Sequence, residues 1–172
     1  MRHIYELFRD NQHLFKKPVG KINPSSTDYG RLIQQLQEYD LHWTFGKCYP
    51  MAQFVFYYLG GYGGSYELKC IKKMPVKIGP YEFTTSHWFV QHKEDGSIID
   101  LSAEQFYGYT DIPYELGRRA NFGFPWIKDK DGVKHQLPHC APSLQALKFY
   151  KVFRETEINP TLERYYKICK IA

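Results

Sequence analysis

"CYPMAQFVFYYLGG", residues 48–61, is the stretch on which the fold turns. From Pro50 to Leu59 it is apolar on nearly every side, and a helix without a polar face must be buried all round. Pro50 is tolerated only in the first turn, so the helix begins at Cys48 or Tyr49. Gly60 and Gly61 end it. The remaining elements are expected to pack around this central helix.

Downstream, residues 65–73 and 76–78 read as strands, and residues 84–92 alternate as a strand should. Glu94-Asp95-Gly96 is a turn, and residues 97–101 form a short return strand. Ser102-Ala103-Glu104-Gln105 fits a capping box, so a helical turn starts at Ser102. Residues 111–142 are mainly loop, with a small hairpin turning at Asp131-Gly132. Residues 143–155 read as a helix with Leu144, Leu147 and Tyr150 on one face. Asn159-Pro160 looks like an N-cap and first-turn pair opening a last short element.

Upstream, residues 3–15 read as a helix with Ile4, Leu7, Phe8 and Leu14 near one face. Residues 28–39 read as another, with Leu32, Leu36 and Tyr39 at helical spacing. A loop rich in Pro, Gly and Ser, residues 16–30, separates them. Helices, a buried helix and then an antiparallel sheet make an α+β chain, expected to be one domain over residues 1–172.

Composition narrows the function classes. The chain is 43% hydrophobic and 24% charged, as globular proteins are. Its 15 Tyr and 12 Phe make either an aromatic core and surface or an aromatic-lined cleft. A net charge of +5 with no run of Lys and Arg longer than two or three residues argues against a nucleic-acid track. The charged N-terminus lacks the apolar core of a secretory signal, and no 18-residue apolar stretch exists to span a membrane. Cys48, Cys70, Cys140 and Cys169 are scattered, without a CxxC pair, as in a cytoplasmic chain of free thiols. Such a chain suits a small bacterial or phage protein.

Cys48 sits where a helix begins. The free N–H groups and dipole there favour an anion, so its thiol is expected to be acidified and nucleophilic. His87, at the start of a downstream strand, is the candidate base. Asp100, on the neighbouring strand, is the candidate group to orient the imidazole. Register tests this. A two-residue Asp95-Gly96 turn pairs Gln91 with Asp100 and leaves His87 about 13 Å away along the strand; Glu104 is then the fallback partner. A three-residue loop puts His87 and Asp100 on opposite faces unless a bulge restores the phase. A four-residue loop, residues 93–96, pairs Phe89 with Asp100 and brings His87 within a diagonal's reach.

A Cys opening a buried helix, then His on a strand, then Asp on the next, resembles the papain-like cysteine superfamily. The interval "HWFVQHKEDGSIID" is most similar to the transglutaminase-like and arylamine N-acetyltransferase-like branches. The resemblance covers residues 45–106. It implies a papain-like or transglutaminase-like fold and a thioester on Cys48, with His87 as base and acid and Asp100 orienting it. Papain-like peptidases place a Gln before the Cys for the oxyanion; here His42 and Trp43 stand there. Oxyanion binding then falls to the Cys48 N–H with Trp43 or His42, and Trp88 joins the cleft. Full acetyltransferases of this type are much longer, so coenzyme A is not expected, and no other cofactor is implied.

Each residue also has a plainer reading. Free Cys is commonly buried core; a lone His is usually structural; Asp100 could serve only the strand-to-helix junction. Trp43, Trp88 and Trp126 are most simply core residues. His92, beside the turn, is a poorer base than His87. Pro138 in "HQLPHC" breaks the helix that metal spacing of His135 and His139 would need, so that segment reads as a loop lining the cleft. The conjunction points to a cysteine hydrolase or acyltransferase acting on a peptide, a glutamine side chain or a small acylated molecule. The rival class is a non-catalytic protein that binds a protein or nucleic acid through an aromatic, mildly basic surface.

Overall fold

The computed structural model describes residues 1–15, 41–121, 126–129, 131–137 and 139–169. The loop expected at 16–30 and the helix expected at 28–39 lie outside those residues.

The buried helix is α2 (Cys48–Tyr58), preceded by α1 (Arg2–Asp10) and a 3-10 turn at Gln12–Phe15. Pro50 stands in the first turn of α2, where its ring meets no preceding helical carbonyl. Gly60 ends the helix in the left-handed region at φ 99°, a conformation glycine adopts without strain. Gln53, the polar residue within the apolar run, is buried, and its Oε1 accepts the Ser143 N–H at 2.9 Å. Its amide oxygen therefore ties α2 to the start of α3 (Leu144–Phe153).

Four antiparallel strands form the main sheet in the order β3-β2-β1-β4. β1 (Tyr66–Ile78) and β2 (Tyr81–His92) form a long hairpin about Gly79-Pro80. The two strands expected at 65–73 and 76–78 are one strand. A bulge between Ile71 and Met74, with Lys73 at φ 58°, interrupts its alternation without ending it. β3 is only Ile98–Ile99, shorter than the return strand expected at 97–101. β4 (Arg118–Arg119) pairs with Lys69 and Cys70 inside the stretch expected to be mainly loop. A second sheet, β5 (Trp126–Lys128) with β6 (Lys134–Gln136), is the small hairpin around Gly132.

α2 packs on β2 and β1 with one face and on α3 and α4 (Pro160–Cys169) with the other. Its apolar circumference is thereby covered, as the sequence demanded. Phe54 is 0% exposed and meets Phe8, Phe149 and Phe153 edge-on. Phe54→Ala is expected to cost about 3–5 kcal/mol, read as a lower urea midpoint at unchanged slope. Ser143 caps α3 by accepting the Ala146 N–H, and Asn159 caps α4 by accepting those of Thr161 and Leu162. Leu144 does not join the core face assigned to it: it is 58% exposed, at the first position of α3.

The opposite face of the sheet buries a second apolar cluster of Ile71, Met74, Val76, Ile78, Phe89 and Phe106. The architecture is α+β, and both sheet faces are covered.

Candidate active site

The loop after β2 decides whether His87 and Asp100 meet. The His92 N–H donates to the Ser97 carbonyl at 2.8 Å, and Val90 pairs with Ile99. Residues 93–96 are therefore a four-residue loop, not the two-residue Asp95-Gly96 turn, with Gly96 at φ 72°. The same register places Phe89 opposite Asp100, and His87 lies two residues along on the same face. His87 Nε2 is 2.6 Å from Asp100 Oδ2, with the imidazole 0% and the carboxylate 4% exposed. Glu104 is not needed as a fallback: it bonds elsewhere.

Asp100 is held on both oxygens. Oδ1 accepts the Ser102 N–H at 2.9 Å and the Ser102 hydroxyl at 2.8 Å. Oδ2 accepts from His87 and from the Tyr114 hydroxyl, the latter at 2.9 Å. Burial opposes the Asp100 charge, yet the bonds from His87 and Ser102 keep its carboxyl below its ordinary value. With Nε2–H donated to the carboxylate, Nδ1 of the neutral ring is left as an acceptor. It is buried and has no hydrogen-bond partner among the described residues.

Cys48 reaches the same strand from its edge. In an antiparallel ladder every second residue aims both backbone groups at one neighbour. The His92–Ser97 bond therefore sets His92, Val90, Trp88 and Ser86 toward the β3 side. β3 ends at Ile99, so the last two residues find no strand partner there. Cys48 takes that place. Its Sγ donates to the Ser86 carbonyl at 3.7 Å, and the Trp88 and Tyr49 N–H groups face the sulfur. The thiol thus rests against the peptide that enters His87, and no hydrogen bond joins it to the imidazole.

Its acidity runs against the expectation from the helix start. Burial pushes the Cys48 thiol up to about 12; the Trp88 N–H pulls it down, and the Asp100 carboxylate adds to the rise. At 7% exposure, desolvation of the thiolate outweighs the stabilisation offered at the start of α2. In this resting geometry the proton stays on sulfur.

Neither a family model, nor a curated protein, nor a solved structure matches the chain. The site therefore stands on its own geometry.

The other residues singled out in the sequence are distributed around it. His42 spans Thr44 Oγ1 at 2.7 Å and Glu104 Oε2 at 3.1 Å, so both ring nitrogens have partners within the chain. Trp43 lies edge-on to Tyr5, with the Lys47 ammonium over its ring. The Trp88 side chain packs on Tyr49, and it is its backbone N–H that faces the sulfur. In "HQLPHC", His139 stacks on Tyr62 and the Cys140 carbonyl accepts from the Tyr57 hydroxyl. His135 bonds Asp129 at 2.9 Å.

Two roles escaped the sequence reading. Ser102 and Gln105 do not form a capping box, since the Ser102 hydroxyl is committed to Asp100. Gln105, buried, instead accepts the Gly46 N–H at 3.1 Å and donates to the Ser102 carbonyl at 2.9 Å. One amide thereby links the loop before Cys48 to the turn after Asp100. Tyr114, on a 3-10 turn at Tyr114–Leu116, belongs to no periodic pattern that would have marked it.

Proposed function

We propose that this chain is a cysteine hydrolase or acyltransferase acting on an amide or related acyl bond. Cys48 is the nucleophile, His87 the base and acid, and Asp100 the orienting group. The observation that carries the reading is the buried imidazole. It is clamped at Nε2 by a fully hydrogen-bonded carboxylate and left without a partner among the described residues at Nδ1, on the strand whose Ser86 carbonyl holds the Cys48 thiol. A structural histidine at such depth normally has both nitrogens satisfied. The chain order of Cys, His and Asp around a buried helix and antiparallel sheet supports a papain-like or transglutaminase-like arrangement.

The chemistry follows from the atoms present. The thiol leaves the Ser86 carbonyl and gives its proton to His87 Nδ1. The sulfur attacks the acyl carbon, and the imidazolium returns the proton to the departing amine, leaving a thioester on Cys48. Water, or a second amine, then attacks the thioester while His87 takes its proton, and the thiol is restored. Asp100 stabilises the imidazolium in both halves. Hydrolysis or deamidation is preferred over transfer, because the chain shows no acyl-carrier motif. Substrates of peptide, glutamine side-chain or small acyl type fit this chemistry, and no cofactor takes part.

The protonated resting thiol is the feature that favours a second reading, a binding protein in which Cys48 is simply core. That reading gives no reason for the open Nδ1 or for the bonds converging on Asp100. Acyl trapping separates the two. After brief incubation with p-nitrophenyl acetate and an acid quench, the catalytic reading expects acetylation of the Cys48 peptide by mass spectrometry, absent in His87→Gln. Acetyl groups only on lysines would support the binding reading.

A further inference from the structure

Three of the four bonds to Asp100 come from elements that carry the site: β2 supplies His87, and the turn after β3 supplies both Ser102 donors. The fourth comes from elsewhere. Tyr114 donates to Oδ2 at 2.9 Å, the same oxygen that His87 Nε2 holds at 2.6 Å. Its ring meets Phe89 edge-on at 5.0 Å and lies 6.4 Å from the His87 ring. Three residues on, Gly117 is so close to the sheet that a Cβ there would stand 2.5 Å from the Phe89 ring. The turn is pressed against Phe89, and the aim of Tyr114 is fixed by that packing.

We propose that Tyr114 is a positioning residue that sets how strongly Asp100 holds His87, by sharing the carboxylate oxygen that the imidazole uses. The inference rests on the reading of Cys48, His87 and Asp100 as one catalytic unit. A carboxylate oxygen that accepts two hydrogen bonds gives each donor less of its charge than one that accepts a single bond. With the phenol in place, the buried carboxylate stays ionised while its grip on the imidazolium is moderated. A base that must release its proton to a leaving amine benefits from that moderation.

The groups that act on the pair can be named from each side. The β2 neighbour Phe89 and the Phe106 ring are apolar, and Ser102 carries a hydroxyl that does not titrate at these pH values. Cys48 and Tyr114 are the titratable groups facing Asp100, with Tyr107 behind Tyr114. A change at Tyr114 is therefore read at Asp100 with little interference.

Tyr114→Phe removes the donor and keeps the ring packing. Two measurements on the full chain test the proposal. The first is titration of the Asp100 carboxyl carbon by NMR. Its midpoint is expected to rise by about half a pH unit or more, because one hydrogen bond to the charged form is gone. The second is the pH profile of Cys48 alkylation by iodoacetamide, expected to shift toward lower pH in the same variant, because an imidazolium held more strongly by Asp100 takes the thiol proton more readily. Site-specific 3-fluorotyrosine at position 114, a stronger donor, should move both readouts the other way and covers the case in which Tyr114→Phe folds poorly. A folded Tyr114→Phe with the Asp100 midpoint unchanged overturns the proposal alone and reduces Tyr114 to packing. An Asp100 midpoint that moves while Cys48 alkylation stays indifferent to both Tyr114 and His87 overturns the catalytic reading, and the proposal with it.

Discussion

Cys48→Ala is expected to abolish turnover of any acyl substrate that labels the wild-type protein, by at least about 10³-fold, while the chain stays folded. In the proposed mechanism the sulfur is the atom to which the acyl group attaches, and the groups that contact it, the Ser86 carbonyl and the Trp88 and Tyr49 N–H groups, are not nucleophiles. The structural cost is small, because alanine keeps the Cβ and the helix start while removing one buried atom, about 1 kcal/mol. Initial rates on the trapped substrate, with circular dichroism of both proteins, check it. Comparable rates in the two folded proteins would remove Cys48 from the chemistry.

Asp100→Asn is expected to lower the same rate by about 10²- to 10⁴-fold and to destabilise the fold as well. The amide presents one acceptor where the carboxylate presents two. His87 Nε2, Tyr114 and the two Ser102 donors cannot all be satisfied. Leaving one such buried donor unpaired costs about 1–3 kcal/mol. The pH dependence carries a definite sign. Burial works against the Asp100 charge, but the His87 and Ser102 bonds set its folded value below the ordinary carboxylate value of about 3.9. Its contribution to stability is then complete above that ordinary value and is lost as pH falls through the folded value. Melting curves between pH 7 and pH 2 should show this acid limb in the wild type and a weaker one in Asp100→Asn.

Much of this was legible in the sequence, for identifiable reasons. The run from Pro50 to Leu59 has no polar face, so burial on all sides was forced, and Pro50 and Gly60 bounded it. The pairing of His87 with Asp100 was legible only through chemistry. Turn preference favours a two-residue Asp95-Gly96 loop, whereas a triad needs the four-residue loop that the His92–Ser97 bond closes. β4 was invisible because two arginines carry no alternation. β1 was split in the reading because its bulge at Lys72-Lys73 breaks the period of two. The Cys48 thiol was misjudged because a sequence shows the helix start but not the burial that outweighs it. Tyr114 and Gln105 act across long sequence separations, Gln105 by bonding Gly46, and no local pattern reports such contacts.

The central claim is that the proton on Cys48 leaves to His87. The most direct measurement is the rate of Cys48 alkylation by iodoacetamide from pH 5 to pH 10, in the wild type and in His87→Gln, with Cys140 as the internal reference thiol. The wild-type profile is expected to show Cys48 reacting well below the pH at which an unassisted buried thiol would ionise. In His87→Gln the same thiol should be nearly inert across the range, as burial alone dictates. Superimposable Cys48 profiles in the two proteins would contradict the account.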